Sequence, residues 1–144
     1  MRTIALRYAE NFAPDEGTIA AHQQVIDAIG YVWYGKLGNP ISDKVAGEIL
    51  QSQNPMILLI HSGAQDRYWA HIEAIQRTMP TDGIPSYYRG MAEKFKCWFK
   101  VYAFEKASKS VMSQCVVASS QKPLTSASQH SMSPYFIIEH TKEY

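Results

Sequence analysis

Short runs and alternations of hydrophobic residues predict a chain that is rich in β-strands. The strongest strand lies at residues 55–60, where Pro-Met-Ile-Leu-Leu-Ile is apolar on both faces and is therefore expected at the centre of a sheet. Alternating or clustered β-branched and aromatic residues predict further strands at residues 3–7, 31–34, 69–75, 98–104, 114–118 and 135–139.

Capping signals predict two helices early in the chain. Thr18 can cap a helix with apolar residues at helical spacing, and Gly30 ends it. Ser42 begins a second, shorter helix with Asp43 in its first turn. Residues 87–95 are compatible with one or two helical turns, and a Ser-rich segment follows the strand at 98–104. This order predicts an α+β fold, a small curved β-barrel with short helices inserted between the early strands.

Length and charge narrow the classes of protein that fit. A chain of 144 residues is the size of one domain, and a net charge of +1 excludes a strongly basic tail or an acidic solvating chain. The charge is unevenly distributed, because no Asp or Glu occurs between Lys106 and Ile138, whereas Lys109, Lys122 and His130 do. We call residues 106–138 the acid-free stretch. Hydroxyl groups and positive charge without carboxylates suit a surface that faces phosphates, although a polar Ser-rich loop is the simpler interpretation.

The cysteines and histidines predict neither a disulfide framework nor a metal site. Cys97 and Cys115 lack ligand spacing and are interpreted as buried thiols in a reducing compartment, and the five histidines form no ligand pair. We expect no metal, no other cofactor and no membrane span. The expected location is the cytoplasm.

Aromatic residues gather at the ends of the predicted strands. Trp33 and Tyr34 end one strand, Trp69 and Trp98 begin two others, and a Tyr-Tyr pair precedes the last. Any one of these rings is best explained as part of the hydrophobic core. For the whole set, we expect at least two rings to line a pocket in which a flat ligand such as a nucleobase is held between them. The alternative to a base pocket is a catalytic site, since a ribonuclease or amidase could use a Lys and a His that lie on or just after predicted strands. The residues of this cluster are Lys36, His61, Ser62 and Lys100.

Three stretches resemble the EVE domain of the PUA-like superfamily, which also includes the ASCH and YTH domains. They are Tyr-Val-Trp-Tyr-Gly-Lys-Leu-Gly-Asn-Pro-Ile-Ser at 31–42, Ile-Leu-Leu-Ile-His-Ser-Gly at 57–63 with the strand at 68–75, and Cys-Trp-Phe-Lys-Val-Tyr-Ala-Phe at 97–104. Gln-His-Ser-Met-Ser-Pro at 129–134 is similar to the closing turn of the family. The resemblance implies a single EVE/PUA-like domain over residues 1–144, in which residues 1–30 form an N-terminal strand–helix extension.

The resemblance also implies a base pocket at one end of the barrel. The residues that would contact the base are Trp33, Tyr34, His61, Ser62, Trp69, Tyr88, Trp98 and Ser131, with Trp33 and Trp98 as stacking walls. The residues that would hold the nucleic-acid backbone are Lys36, Arg67, Arg89, Lys94 and Lys96.

The function implied is that of a binding module rather than an enzyme. The chain resembles divergent EVE-like readers of modification-dependent restriction systems, which implies recognition of a modified or flipped nucleobase, in DNA rather than RNA, in bacterial or phage defence. A nuclease or NTPase would then be the effector partner. Two alternatives stay open: an ASCH-like hydrolase or ribonuclease that uses Lys36 or Lys100 with a carboxylate such as Glu73, and a domain whose exposed aromatic residues bind a protein.

Overall fold

One mixed sheet organises the chain. The structure, a computed structural model, describes residues 1–8, 10, 12–61 and 66–140. Within these residues the strands are β1 (Arg2–Arg7), β2 (Val32–Lys36), β3 (Met56–Ile60), β4 (Tyr68–Gln76), β5 (Cys97–Lys106), β6 (Cys115–Val117) and β7 (Tyr135–His140). The α-helices are α1 (Thr18–Ile29), α2 (Asp43–Gln51) and α3 (Leu124–His130), and short 3-10 turns lie at Ser86–Tyr88, Ala92–Lys94 and Val111–Gln114. The α+β prediction is confirmed.

The N-terminal strand lies inside the sheet. The strand order is β2-β5-β4-β3-β1-β7-β6, and β1 runs parallel to β3 and antiparallel to β7. Helix α1 packs against β2 and β5. Residues 1–30, which we expected to be an extension, therefore supply a strand and a helix to the body of the fold. The apolar strand β3 lies between β1 and β4 and is fully buried, as its sequence predicts.

The expected closed barrel is wrong, because the sheet of the described residues is open. Strands β2 and β6 lie at its two edges and do not pair with each other. The outer edge of β2 is covered by the segment 83–88 instead: the backbone N–H of Trp33 donates to the Gly83 carbonyl (2.7 Å), and that of Gly35 donates to the Tyr88 hydroxyl (3.2 Å). These bonds satisfy donors that a closing strand would otherwise pair. Register shifts between β4 and β5 supply curvature without closure.

The predicted helix boundaries are largely confirmed. Gly30 ends α1 in the left-handed conformation, and the Ser42 hydroxyl accepts the Val45 N–H at the start of α2 (3.2 Å). Thr18 is not the N-cap, since Gly17 occupies that position and the Glu10 carboxylate accepts the Thr18 N–H (3.1 Å). Helix α3 was not predicted, because its Ser- and Thr-rich sequence has low helix propensity and a single residue, Leu124, is fully buried.

The core forms three hydrophobic clusters. One packs α1 and α2 on a face of the sheet, and a second packs α3 and the turn at 111–114 on the other, around Trp69 and Phe136. The third is aromatic and joins Trp33 and Trp98 to Tyr88 and the segment that covers β2. Because this segment packs rings against the edge of β2, it also forms the wall of a pocket.

The cysteine prediction is confirmed in one respect. Cys97 and Cys115 are both free and buried, and burial raises the pKa of both thiols, that of Cys115 to about 12. Among the residues that the structure describes, no helix is long and apolar enough to span a bilayer.

Candidate functional site

Two neighbouring pockets share Arg7 as a wall. The first, which we call the aromatic pocket, has a volume of about 190 Å³, and its polar and aromatic lining includes Phe12, Tyr34, Lys36, Tyr87, Tyr88 and Phe95. The second, which we call the basic groove, has a volume of about 600 Å³, and its lining includes Arg7, His61, Arg67, Lys109, Ser110 and Ser128. Arg7 also lines the aromatic pocket, so the two sites adjoin at the end of β1.

Strand β2 and the segment that covers its edge build the aromatic pocket. Tyr34 and Lys36 are two residues apart on β2, and the covering segment brings Tyr88 against them. Phe95, which lies just before β5, packs on Tyr88 with 4.7 Å between the ring centres. Gly35 permits this approach, since a Cβ at that position would lie 2.5 Å from the Phe95 ring. A larger residue there would displace Phe95 and change the shape of the pocket.

A buried histidine holds the tyrosines of the pocket in place. His22 Nδ1 lies 2.8 Å from the Thr18 carbonyl, which only accepts, so Nδ1 carries the proton. His22 Nε2 therefore accepts from the Tyr88 hydroxyl (3.0 Å), whose oxygen in turn accepts the Gly35 N–H (3.2 Å). The imidazole also packs 4.9 Å from the Tyr34 ring, centre to centre. The His22 pKa is lowered from 6.5 to about 4 because burial disfavours the charged ring.

The electrostatics of the aromatic pocket combine neutral rings with two basic side chains, Arg7 and Lys36. Burial raises the pKa of Tyr34, Tyr87 and Tyr88, so these phenols stay protonated at neutral pH. Lys36 Nζ donates to the Leu37 carbonyl (3.1 Å) and the Asn39 carbonyl (2.6 Å), and burial lowers its pKa. None of the described lining residues is an Asp or Glu. The pocket can stack and hydrogen-bond a flat ligand, but its lining offers no carboxylate for acid–base chemistry.

The basic groove lies beside the acid-free stretch. Arg7 donates from Nε and Nη2 to the carbonyls of Ser128, Ser131 and Ser133 at 2.8–2.9 Å, which fixes its guanidinium. Hydroxyl side chains from the acid-free stretch and the Lys109 side chain line the same groove, and no described lining residue carries a carboxylate. The charge pattern noted in the sequence therefore corresponds to a concave surface.

The residues predicted to contact a base do not line one common pocket. Tyr34 and Tyr88 line the aromatic pocket, and His61 lines the basic groove. The exposed fractions of Trp33, Trp69 and Trp98 are 8%, 2% and 0%, and none lines either site. Trp33, His61 and Trp98 therefore do not converge on one cavity, because both tryptophans pack in the core.

The remaining predicted residues also lie in different parts of the structure. Ser131 accepts an Arg7 bond through its carbonyl, and its hydroxyl bonds to that of Ser133, while Ser62 lies outside the described residues. Of the residues predicted to hold the nucleic-acid backbone, Lys36 lines the aromatic pocket and Arg67 the basic groove. The others, which are exposed and line neither site, are Arg89, Lys94 and Lys96.

Sequence reasoning missed several lining residues. Phe12 lies in a turn-rich segment without periodicity, and Arg7 ends a strand, so neither position carries a local signal of a site. Tyr87 belongs to the Tyr-Tyr pair noted in the sequence but was not assigned to the base, and neither was Phe95. The density of rings at 87–95 is the signal that points to both.

Lys100 and Glu73, which the alternative hydrolase hypothesis assigns to catalysis, form an ion pair on the sheet. Lys100 Nζ lies 3.1 Å from a Glu73 carboxylate oxygen and 4.5 Å from the centre of the Tyr31 ring. Both residues lie on adjacent strands, β4 and β5, and line neither the aromatic pocket nor the basic groove. This geometry is that of a surface ion pair.

Comparison with known proteins gives one match. The model of a family described as Pua-like matches residues 4–142, nearly the whole chain. No curated protein and no solved structure is significantly similar to the chain.

Proposed function

Because the chain belongs to the PUA-like family, which commonly binds RNA or other nucleic acid, we propose that it is a nucleic-acid-binding module that takes one base into the aromatic pocket. The observation that carries this proposal is the lining of the pocket, in which five rings stand beside the basic side chains of Arg7 and Lys36. The rings are Phe12, Tyr34, Tyr87, Tyr88 and Phe95. Rings bind a nucleobase by stacking, which contributes about 1–3 kcal/mol per base.

The size of the aromatic pocket supports a single ring system as the ligand. An engineered apolar cavity of about 150 Å³ binds benzene, and the volume here is about 190 Å³. A pocket of this size admits one base but not a stacked pair. A base within a duplex would have to leave its stack to enter, at a cost of a few kcal/mol that stacking in the pocket offsets.

We extend the proposal to a modified base in DNA. Leu6, Leu37 and Met91 make part of the lining apolar, and an alkyl group on the base edge would bury its surface there. The Lys36 amine would donate a hydrogen bond to a carbonyl oxygen of the base. The resemblance to readers of modification-dependent restriction systems supports a role in defence, with a nuclease or NTPase as effector.

Fluorescence anisotropy with two matched variants tests this function. The probes are oligonucleotides of one sequence that contain one 5-methylcytosine or one cytosine, as DNA and as RNA. Phe12 lines the pocket and is 62% exposed, so Phe12→Ala should fold normally and weaken binding of the methylated DNA about 5- to 150-fold through lost stacking. Tyr102→Ala removes a ring that is 43% exposed and lies outside both sites, so it should bind like the wild type.

The controls decide between this function and the alternatives. Equal affinity of wild type, Phe12→Ala and Tyr102→Ala for every probe contradicts a base in the aromatic pocket. If the protein binds the RNA probes more tightly, the proposed ligand is a base in RNA rather than in DNA. Cleavage of any probe, seen on a denaturing gel and abolished by Lys36→Met, supports the hydrolase alternative instead.

A further inference from the structure

We infer that the basic groove is a phosphate-binding site for the nucleic-acid backbone, with Arg7, Arg67 and Lys109 as its cationic residues. The inference rests on the proposed function for the identity of the ligand, but its evidence comes from a different set of side chains. It assigns to the acid-free stretch a role that the base pocket does not explain.

The concave position of its cations distinguishes this groove from the rest of the surface. Elsewhere some cations pair with carboxylates, as Arg2 does with Glu139 at 2.9 Å and Arg77 with Asp43 at 3.1 Å. The cations outside the two sites that contact no carboxylate of the described residues are exposed; they are Lys44, Arg89, Lys94, Lys96 and Lys122. Within the described residues, the three cations of the groove contact no carboxylate. In a chain whose net charge is only +1, such a concentration of unneutralised positive charge in one concavity favours an anionic ligand.

A buried donor of Arg67 lacks an acceptor among the described residues. Its Nε is inaccessible to solvent in the free protein, and no described residue accepts a hydrogen bond from it. A buried charged donor without an acceptor costs free energy, so a turn of the Arg67 side chain that brings its guanidinium to a phosphate oxygen, the acceptor it binds best, would relieve that cost. The hydroxyls of Ser110, Ser113 and Thr125 line the same groove and can donate to further phosphate oxygens.

Arg7 links the groove to the aromatic pocket. Its bonds to three carbonyls engage Nε and Nη2, and among the described residues Nη1 has no protein acceptor. The same side chain lines both sites, so a base in the pocket and the phosphates next to it in the strand would both contact Arg7. This places the backbone along the groove, directly beside the base.

The test uses a strand without bases, so that it reports on the groove alone. The probe is a fluorescein-labelled abasic deoxyribose-phosphate 12-mer, and its affinity is measured by anisotropy from about 50 to 200 mM NaCl. Lys109→Gln and Lys122→Gln are matched variants, because both lysines are exposed in the acid-free stretch and only Lys109 lines the groove. Arg67→Gln tests the buried donor, and circular dichroism verifies the fold of each variant.

We expect the affinity of the groove variants for the strand to depend less on salt concentration than that of wild type. Each lost phosphate contact on a single strand lowers the slope of log affinity against log salt by about 0.7, so the advantage of wild type over Lys109→Gln should shrink about 2.6-fold across this range. Lys122→Gln should keep the wild-type slope. The double variant Arg67→Gln/Lys109→Gln should lose about twice as much slope as Lys109→Gln.

The remaining outcomes are distinguishable. No binding of the abasic strand by wild type, or equal slopes for Lys109→Gln and Lys122→Gln, overturns the groove assignment. Displacement of the strand by millimolar inorganic phosphate at constant ionic strength also overturns it, since the groove would then bind free phosphate. In one further outcome, Phe12→Ala leaves binding of the base-containing probes unchanged while Lys109→Gln still lowers the slope of log affinity against log salt. This result would contradict a base in the aromatic pocket and support phosphate binding in the basic groove.

Discussion

Lowering the pH from about 7.5 to about 5 should destabilise the protein through His22. The imidazole is buried, neutral and bonded to Thr18 and Tyr88, and its pKa falls from 6.5 in the unfolded chain to about 4 in the folded one. Between these values the unfolded state binds a proton that the folded state does not, so stability decreases as the pH falls through this window. Above 6.5 both states are neutral, and below about 4 the loss is complete.

The magnitude follows from the two pKa values. At about pH 5 the proton held by the unfolded state alone lowers the free energy of unfolding by about 2 kcal/mol, and the full difference between the pKa values corresponds to about 3 kcal/mol. With a urea dependence of about 1–3 kcal/mol per molar, the denaturation midpoint should fall by about 0.7–2 M.

The assay compares urea denaturation of three proteins at both pH values. His22→Gln has a donor and an acceptor for the same two partners but does not titrate, so its midpoint should fall less than that of wild type by the amount above. His130→Gln, at an exposed position, should behave like wild type. Parallel pH dependence in wild type and His22→Gln would refute the reasoning. If His22→Gln does not fold, the NMR signals of the His22 ring in wild type decide, because they should not titrate between these pH values.

Three further predictions concern packing. Gly35→Ala should reduce stability by about 1–3 kcal/mol and weaken base binding, because its Cβ meets the Phe95 ring at 2.5 Å; urea denaturation and anisotropy measure the two effects. Trp98→Ala should reduce the free energy of unfolding by about 3–5 kcal/mol, and a value near zero would show that this ring is not the core residue described here. Cys97 and Cys115 should react with a thiol reagent only after unfolding, because burial excludes the reagent and raises both pKa values; rapid reaction of the native protein would contradict their burial.

The strands could be predicted from the sequence because their signals are local. The apolar run of β3 and the alternation along β4 and β5 depend on neighbouring residues alone, and they predicted elements that the structure contains. The same holds for Gly30 and Ser42, whose effects on helix ends act within one turn. Helix α3 was missed because its stability depends on packing of Leu124 rather than on the propensity of its sequence.

The pocket could not be predicted in the same way, since its walls come from distant parts of the chain. Tryptophans at strand ends were plausible walls, but a large apolar ring gains most from full burial, and Trp69 and Trp98 are accordingly in the core. The tyrosines lie at the pocket instead, and the hydroxyl of Tyr88 bonds to His22 and to the edge of β2.

The sequence by itself determined the strands, the family and the absence of carboxylates from residues 106–138, because each is a property of residue order or composition. Only the tertiary structure decided that the sheet stays open, since the donors of β2 could be satisfied either by another strand or by the segment 83–88. Only the fold, too, placed Arg7 between the aromatic pocket and the basic groove, because that contact joins the end of β1 to residues more than a hundred positions away.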